Sequence, residues 1–314
     1  MHAVIGHSWG SVNLGGLVKS VAFVGGLTVA VVALLSASGA AAANHNFVPE
    51  AARSIQGGRG LAVVIAQGEI KSDINPSNIA VAAGGGLLAA LVDAKVNSDR
   101  AKRAEAEIVP VRAALTGYDV DSLATGATQA AVAKTAWFQA APATLTRDST
   151  IAGKVAVLDA STASQVGFFE YTYDLSPDFR EIRVAVSMQF ANKAVAEGKK
   201  PDARIQSGNL AYNQRITCVM SLPSPSKDIH QNAAQWSAND GRLARQALGQ
   251  AFDEIGILIP RLLEVSEADV KAMGSRSKKA TTVAGYFGAI QEQTPTETLL
   301  FNGVGLVDVK TVTD

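Results

Sequence analysis

The densest group of polar side chains in this chain surrounds a single tryptophan, in the segment 230–240. Amide side chains beside an aromatic ring can hold a sugar or a peptide. A tryptophan can also anchor the start of a helix against a sheet, with its indole N–H bonded inside the protein. We favour this structural role and keep ligand or partner contact as the functional hypothesis. The residues of that hypothesis are Trp236, His230, Asn232, Gln235 and Asn239.

Nucleophilic and zinc chemistry lack the side chains that they need. After residue 43 the chain has two histidines, His45 and His230, and its single cysteine is Cys218. A catalytic nucleophile needs a base and an orienting group, and no Gly-x-Ser-x-Gly motif follows residue 43. A zinc site needs three or four ligands of the right type. We therefore expect no metal and no cofactor, and we regard a non-enzyme as the better hypothesis.

Carboxylate chemistry is harder to judge from a sequence, because catalytic acid pairs form in space and not along the chain. A calcium site built from carboxylates alone stays open, but Asp119, Asp121 and Asp148 do not have the spacing of a calcium-binding loop. No acidic pair stands out elsewhere. A hydrolase that uses two carboxylates is therefore kept as a second alternative.

Three consecutive glycines, Gly84, Gly85 and Gly86, open a predicted helix inside the uncharged segment 79–92. Backbone N–H groups at a helix start can cradle a phosphate, but a nucleotide loop would continue with a Lys-Ser or Lys-Thr pair. Small residues also let another helix approach closely, within a membrane or outside it. Close packing inside the core is the simpler interpretation, and a helix or membrane contact is the functional one.

Residues 1–43 have the features of a secretory signal peptide. Their only Lys or Arg is Lys19, they contain no Asp or Glu, and an apolar run covers 21–35. We expect cleavage near Ala43 and a periplasmic or extracellular protein. The alternative is an inner-membrane anchor, because the uncharged segment 20–43 is 24 residues long, enough for one spanning helix.

The amino-acid composition limits the kinds of partner that we expect for this chain. The chain of 314 residues has 28 Lys and Arg against 28 Asp and Glu, which gives no positive surface for nucleic acid. A hydrophobic content of 47% supports a real core, and one cysteine excludes an intrachain disulfide. We expect other envelope proteins or a second copy of the chain as partners. Membrane association would use residues 20–43, if uncleaved, or 79–92.

The predicted fold class is α+β. An antiparallel β-meander packs on a long C-terminal amphipathic helix, with an Ala- and Gly-rich helical N-terminal part and a short β tail. The predicted domains are a signal peptide (1–43), a lead-in strand with helices (44–150), an α+β core (151–274), and a linker with a hairpin tail (275–314).

Alternation with a period of two predicts the meander. Segments 180–190 and 210–222 alternate apolar and polar residues, and the aromatic segment 166–174 is extended. An apolar stripe that repeats every three or four residues over 239–263 predicts a helix. This helix covers the apolar face of the meander, which we call the dry face. The residues expected on that face are Ile182, Val184, Val186, Met188, Ile216, Cys218 and Met220.

Shorter patterns predict the remaining elements. The apolar run 154–158 predicts a strand, and 87–109 predicts a helix that Pro110 stops. Pro260 is expected to kink or break the long helix near its end. Asn302-Gly303 predicts a tight hairpin in the C-terminal tail.

The function predicted from the sequence is that of an exported, non-catalytic bacterial cell-envelope protein that acts through protein or membrane contacts. The first alternative is a periplasmic binding protein for a small ligand or glycan, with its site near Trp236. The second is the carboxylate-dependent hydrolase.

Overall fold

A computed structural model describes residues 46–55, 58–74, 87–194, 198–275 and 280–313. Within these residues the chain forms six α-helices and ten β-strands, so the predicted combination of helices with a sheet is confirmed. All ten strands belong to one sheet, which mixes parallel and antiparallel pairs.

The elements follow the chain in a simple order. The strands are β1 (Gly60–Val64), β2 (Lys71–Ser72), β3 (Thr144–Thr146), β4 (Gln165–Leu175), β5 (Glu181–Asn192), β6 (Tyr212–Ser221), β7 (Ala280–Val283), β8 (Tyr286–Gln293), β9 (Glu297–Phe301) and β10 (Gly305–Thr311). The helices are α1 (Glu50–Arg53), α2 (Leu87–Ala114), α3 (Val120–Ala133), α4 (Ile151–Ala160), α5 (Ile229–Leu263) and α6 (Glu267–Ser275). Two short 3-10 helices, Pro201–Ile205 and Ser207–Asn209, precede β6.

The predicted meander forms the centre of the sheet but is only part of it. β4, β5 and β6 are neighbours and pair antiparallel, as the alternation indicated. β1 joins β4 in parallel, and β10 joins β6 in parallel. The strand order is β3-β1-β4-β5-β6-β10-β9-β8-β7, with β2 beside β4. The prediction of an antiparallel meander is therefore only partly right, because the sheet also contains parallel pairs between strands that are distant in sequence.

The C-terminal strands extend this same sheet. β9 and β10 form the predicted hairpin around Asn302-Gly303, where the Asn302 N–H donates to the Gly305 carbonyl at 3.1 Å. Gly303 has a φ of 82°, a left-handed conformation that glycine adopts without steric cost. Because β10 pairs with β6, the tail is tied to the central strands.

The predicted strand 154–158 is a helix instead. It lies inside α4, whose first turn is capped by the Thr150 hydroxyl, which accepts from the Gly153 N–H at 3.1 Å. Lys154 and Leu158 are the buried residues of α4, and their spacing of four places them on one helix face. A five-residue apolar run does not distinguish a strand from a turn of buried helix.

Pro110 does not stop α2, which continues to Ala114. Ile108 and Val111 are fully buried on either side of the proline. Past it, the Arg112 Nε donates to the Ile70 carbonyl at 2.9 Å. Packing and this hydrogen bond hold the last turn in place although proline lacks the N–H that the helix would use.

The long helix α5 packs on the sheet, as predicted. It begins at an Asp228 cap, whose Oδ1 accepts from the His230 N–H at 3.0 Å. It is interrupted over residues 238–241, where the backbone leaves the helical region. Gly241 has a φ of 70°, and a Cβ there would lie 2.9 Å from the Ala114 Cβ. The helix continues through Pro260 to Leu263, so the expected break lies at 238–241 and not at the proline.

The two faces of the sheet differ. The inner face contacts α2, α3 and α5 and carries the main core, in which all seven predicted dry-face residues are buried. On the outer face, Leu158 of α4 covers apolar residues of β1 and β4. The β7–β8 hairpin covers Val219 of β6 and Val307 of β10 in a third cluster.

The described helices include none with the length and hydropathy that a bilayer span requires. The predicted signal peptide (1–43) and Gly84, Gly85 and Gly86 lie outside the described residues. The predictions made for them stay predictions.

Candidate functional site

Trp236 and Asn232 make contacts inside the protein. Trp236 is fully buried, and its Nε1 donates to the Phe179 carbonyl at 2.7 Å. Asn232 is also buried. Its Oδ1 accepts from the Ser226 N–H at 2.7 Å, and its Nδ2 donates to the Asp178 carbonyl at 2.8 Å. Both side chains thus fix the start of α5 to the turn between β4 and β5, which is the structural role expected for Trp236.

The other three residues of the ligand-contact hypothesis, His230, Gln235 and Asn239, do not join Trp236 and Asn232. His230 is exposed, with its Nδ1 2.9 Å from the Glu107 Oε2 of α2. The hydrogen bond and charge of Glu107 raise the pKa of His230. Gln235 is half-buried, and Asn239 is exposed in the interruption of α5 with a φ of 51°. The five residues do not converge on one point, and a ligand role for them stays a prediction.

The outer face of the sheet carries a group of polar side chains around Ala185, which we call the polar strip. It lies on three neighbouring strands whose cross-strand partners place the residues on one face. Its members are Glu170, Thr172 and Asp174 of β4, Arg183, Ser187 and Gln189 of β5, and Asn213, Arg215 and Thr217 of β6. Thr172 and Arg215 are exposed, Thr217 is buried, and the others are half-buried. The strip is therefore a partly accessible surface between α4 and the β7–β8 hairpin.

One end of the polar strip is organised by Lys154. This side chain comes from α4, and its Nζ donates to the Glu170 Oε2 at 2.6 Å and to the Gln189 Oε1 at 3.0 Å. The Lys154 side chain is 7% exposed and that of Glu170 27%. The pair ties α4 to the sheet and leaves the carboxylate partly open to solvent.

The other end is organised by Arg183, and we call it the Arg183 cluster (Arg183, Asp73, Asp174, Glu181). The guanidinium lies 3.3 Å from the Asp73 Oδ2 and 3.0 Å from the Glu181 Oε2. Asp174 is its cross-strand partner. The guanidinium carbon is also 5.8 Å from the ring centre of Tyr286 in the β7–β8 hairpin. The guanidinium thus pairs with two carboxylates, lies beside a third on the neighbouring strand, and faces the ring of Tyr286.

Burial sets the charge states in this cluster. Desolvation raises the pKa of Asp174 to about 6, against the opposing effect of the Arg183 charge. Burial also raises the pKa of Glu181, although Arg183 acts to lower it. Within the described part of the chain, the Arg215 guanidinium near the middle of the strip has no ion-pair partner. The strip therefore presents charges of both signs.

A second acidic group lies on the inner face, and we call it the Lys310 cluster (Lys310, Glu254, Glu297, Asp308). The Lys310 Nζ is 2.5 Å from the Glu254 Oε2, 3.2 Å from the Glu297 Oε1 and 3.4 Å from the Asp308 Oδ2. Glu254 comes from α5, and the other residues come from the β9–β10 hairpin. The cluster borders a groove of about 310 Å³.

Asp308 is the unusual member of this cluster. Its side chain is completely buried, and neither carboxylate oxygen has a hydrogen-bond partner among the described residues. Desolvation raises its pKa to about 7, and the charges of Glu254 and Glu297 act in the same direction. Its neighbour across the parallel strands is Cys218, whose thiol pKa burial also raises. Burial thus makes the ionised form of each group less favourable than it is in water.

Sequence reasoning missed both clusters. A signal for the second was present, because Asp308 and Lys310 interrupt the apolar series that begins at Leu306 and resumes at Val312 on the same face. Two charges in a row of inward positions indicate a special site. Their partner Glu254 lies 56 residues before Lys310, so the cluster itself could not be seen along the chain.

No protein-family model, no curated protein and no solved structure matches this chain significantly.

Proposed function

We propose that this chain is an exported, non-catalytic protein of the cell envelope that acts by contact with another protein, and that the polar strip is the contact surface. The observation that supports this proposal is the outer face of the sheet. A sheet can leave one face open to solvent. Here α4 and the β7–β8 hairpin flank that face and leave a strip with short side chains, with charges at both ends and Arg215 near the middle.

The chemistry of the strip fits a protein partner. Ser187 and Thr172 have short side chains that leave the sheet backbone approachable. Arg215 is exposed and available for a partner's carboxylate. Protein interfaces combine such polar contacts with aromatic and arginine side chains, and Tyr286 and Arg183 provide these at the hairpin end. The mixed charge does not favour an anionic membrane surface.

Hydrolysis is the weaker explanation of the same residues. In the Arg183 cluster and in the Lys310 cluster, a cation lies between the carboxylates. A hydrolase that uses two carboxylates needs that space for the substrate bond and for water. The two clusters are therefore better suited to holding charge than to cleaving a bond.

Site-specific photo-crosslinking tests the proposal. A photoreactive residue is placed at Ser187 or Arg215 in the full-length protein, in the cells that produce it. We expect a discrete adduct of higher mass from both positions. The matched control is Ala130, an exposed residue of α3 on the other side of the sheet. The same adducts from position 130, or none from 187 and 215, would contradict the proposal.

The mass of the adduct distinguishes two kinds of partner. A species of twice the monomer mass indicates self-association, which light scattering coupled to size-exclusion chromatography checks on the purified protein. Any other mass indicates a different protein. Export is tested separately by intact-mass measurement, where a chain beginning near residue 44 supports cleavage and a membrane-bound chain that keeps 20–43 supports the anchor.

A further inference from the structure

The three carboxylates of the Lys310 cluster have the geometry of a cation site. One oxygen each from Glu254, Glu297 and Asp308 lies within 4.8 Å of the other two. Oxygen ligands of Ca²⁺ lie about 2.3–2.6 Å from the ion, so oxygens on opposite sides of it are about 5 Å apart. The three oxygens can therefore reach one ion together without a rearrangement of the backbone.

Asp308 is an independent reason to expect a ligand at this point. It is fully buried and faces the other two carboxylates, and its oxygens have no hydrogen-bond partner among the described residues. Its nearest positive charge, Lys310, is 3.4 Å away, in a geometry that does not make a hydrogen bond. A buried carboxylate is normally satisfied by donors or by a metal ion.

Lys310 compensates only part of the charge. One ammonium faces three carboxylates, and its Nζ is close to all three. The Lys310 side chain is 24% exposed, and it also lines the neighbouring groove, together with Thr296 and Thr311. The flexible stem of a lysine lets its charged end move to water while the chain stays packed. The ammonium can thus leave the carboxylates and enter the groove.

We propose that Glu254, Glu297 and Asp308 form a Ca²⁺ site in which the ion exchanges with the ammonium of Lys310. All three ligands are hard oxygens, which excludes a preference for soft metals. Ca²⁺ accepts irregular sets of six to eight oxygens, and water in the groove completes the set. Mg²⁺ requires a stricter octahedral arrangement. The site is separate from the polar strip, so it does not depend on the proposed contact function.

The exchange with the Lys310 ammonium limits the affinity of the site for Ca²⁺. Ca²⁺ must displace a bound ammonium, so we expect a dissociation constant of about 10⁻⁴–10⁻³ M, in the range of extracellular calcium modules. Removing the competitor should strengthen binding. Lys310→Met should therefore bind Ca²⁺ at least about tenfold more tightly, a result that a merely structural acidic cluster would not give.

Isothermal titration of the purified protein with CaCl₂ at pH 8, after EDTA treatment, tests the site. We expect one saturable site in the wild type, tighter binding in Lys310→Met, and at least about tenfold weaker binding in Glu254→Gln and Asp308→Asn. Asp174→Asn is the matched control, because it removes a half-buried carboxylate from the outer face and should leave binding unchanged.

A thermal melt gives a second test of the site, which does not depend on variants that fold poorly. Ca²⁺ that binds only the folded chain should raise the melting temperature of the wild type, and the same concentration of Mg²⁺ should raise it less. The proposal is overturned if the wild type shows neither saturable binding nor a melting shift up to about 10 mM Ca²⁺. It is also overturned if Asp308→Asn and Glu254→Gln bind as the wild type does.

Discussion

Two cations in this protein each face three carboxylates, on opposite faces of one sheet. The cations are about equally shielded, since the side chain of Arg183 is 19% exposed and that of Lys310 is 24% exposed. The carboxylates differ. Asp73 in the Arg183 cluster is 50% exposed, whereas Asp308 in the Lys310 cluster is 0% exposed.

This difference in exposure determines how the negative charges are compensated on each face of the sheet. On the outer face, water compensates the acids that one guanidinium does not, and Arg183 has five N–H donors to distribute. On the inner face, an ammonium has three donors, and Asp308 receives none of them. The outer cluster can be a stable surface feature, while the inner one keeps an unsatisfied charge that a proton or a cation can relieve.

The largest difference in the free energy of unfolding is expected when an aspartate is placed at two positions of β5, one on each face of the sheet. Val184→Asp places an unpaired charge in the core and should cost about 3–5 kcal/mol. Ser187→Asp places the same group on the polar strip and should cost less than about 1 kcal/mol. Urea denaturation at pH 7 measures both. Similar losses for the two variants would contradict the assignment of the faces.

The next contrast is between the two cations. Among the described residues, Lys310 is the only cation in contact with Asp308. Lys310→Met should therefore cost about 3 kcal/mol in calcium-free buffer at pH 8, because it leaves a buried charge without compensation. Arg183→Met should cost about 1 kcal/mol, since water reaches Asp73. Urea denaturation in EDTA compares them. A larger loss for Arg183→Met would reverse our ranking of the clusters.

A pH effect isolates Asp308. Its pKa is raised to about 7 in the folded protein, so between about pH 4 and 7 the folded state holds a proton that the unfolded state releases. The stability is therefore present in acid and is lost as the pH rises through this window. We expect wild type to lose about 2 kcal/mol, relative to Asp308→Asn, between pH 5 and pH 8 in EDTA.

Asp174→Asn is the control for that measurement. The pKa of Asp174 is raised to about 6, so the sign is the same, but the window ends earlier and the half-buried side chain gives a smaller effect. Glu254, Glu297, Lys310 and Cys218 are the titratable groups that influence Asp308. If Asp308→Asn retains the full pH dependence of the wild type, one of these groups is responsible instead.

The elements that could be predicted are those with local patterns. The inner residues of β5 and β6 were assigned correctly because Val184 and its neighbours alternate with polar residues on a half-solvated sheet. The stripe of α5 and the Asn302-Gly303 turn are local as well. By contrast, α4 was mistaken for a strand because its apolar run is too short to show a period.

The sites could not be predicted in the same way, because their members meet only through pairing in space. Arg183 contacts Asp73, 110 residues earlier, because β2 lies beside β4. Lys310 contacts Glu254 because β10 pairs with β6 beneath α5. Parallel pairing of distant strands created both clusters, and it is the part of the fold that the sequence patterns did not reveal.

Added salt should give the smallest difference in stability, and it should act on the outer cluster more than on the inner one. Asp73 is half exposed, so its pair with Arg183 should contribute no more than about 0.5 kcal/mol at low ionic strength, and about 1 M NaCl should remove most of that. The Asp308 side chain is 0% exposed while the Lys310 ammonium occupies the cluster, so sodium chloride should change the difference between Asp308→Asn and wild type less than it changes the Asp73 pair. Urea denaturation of Asp73→Asn, Asp308→Asn and wild type at about 0.05 M and about 1 M NaCl measures both. Equal screening at the two positions would mean that water and salt reach Asp308 while Lys310 is still in place, and that its carboxylate is solvated like that of the outer face.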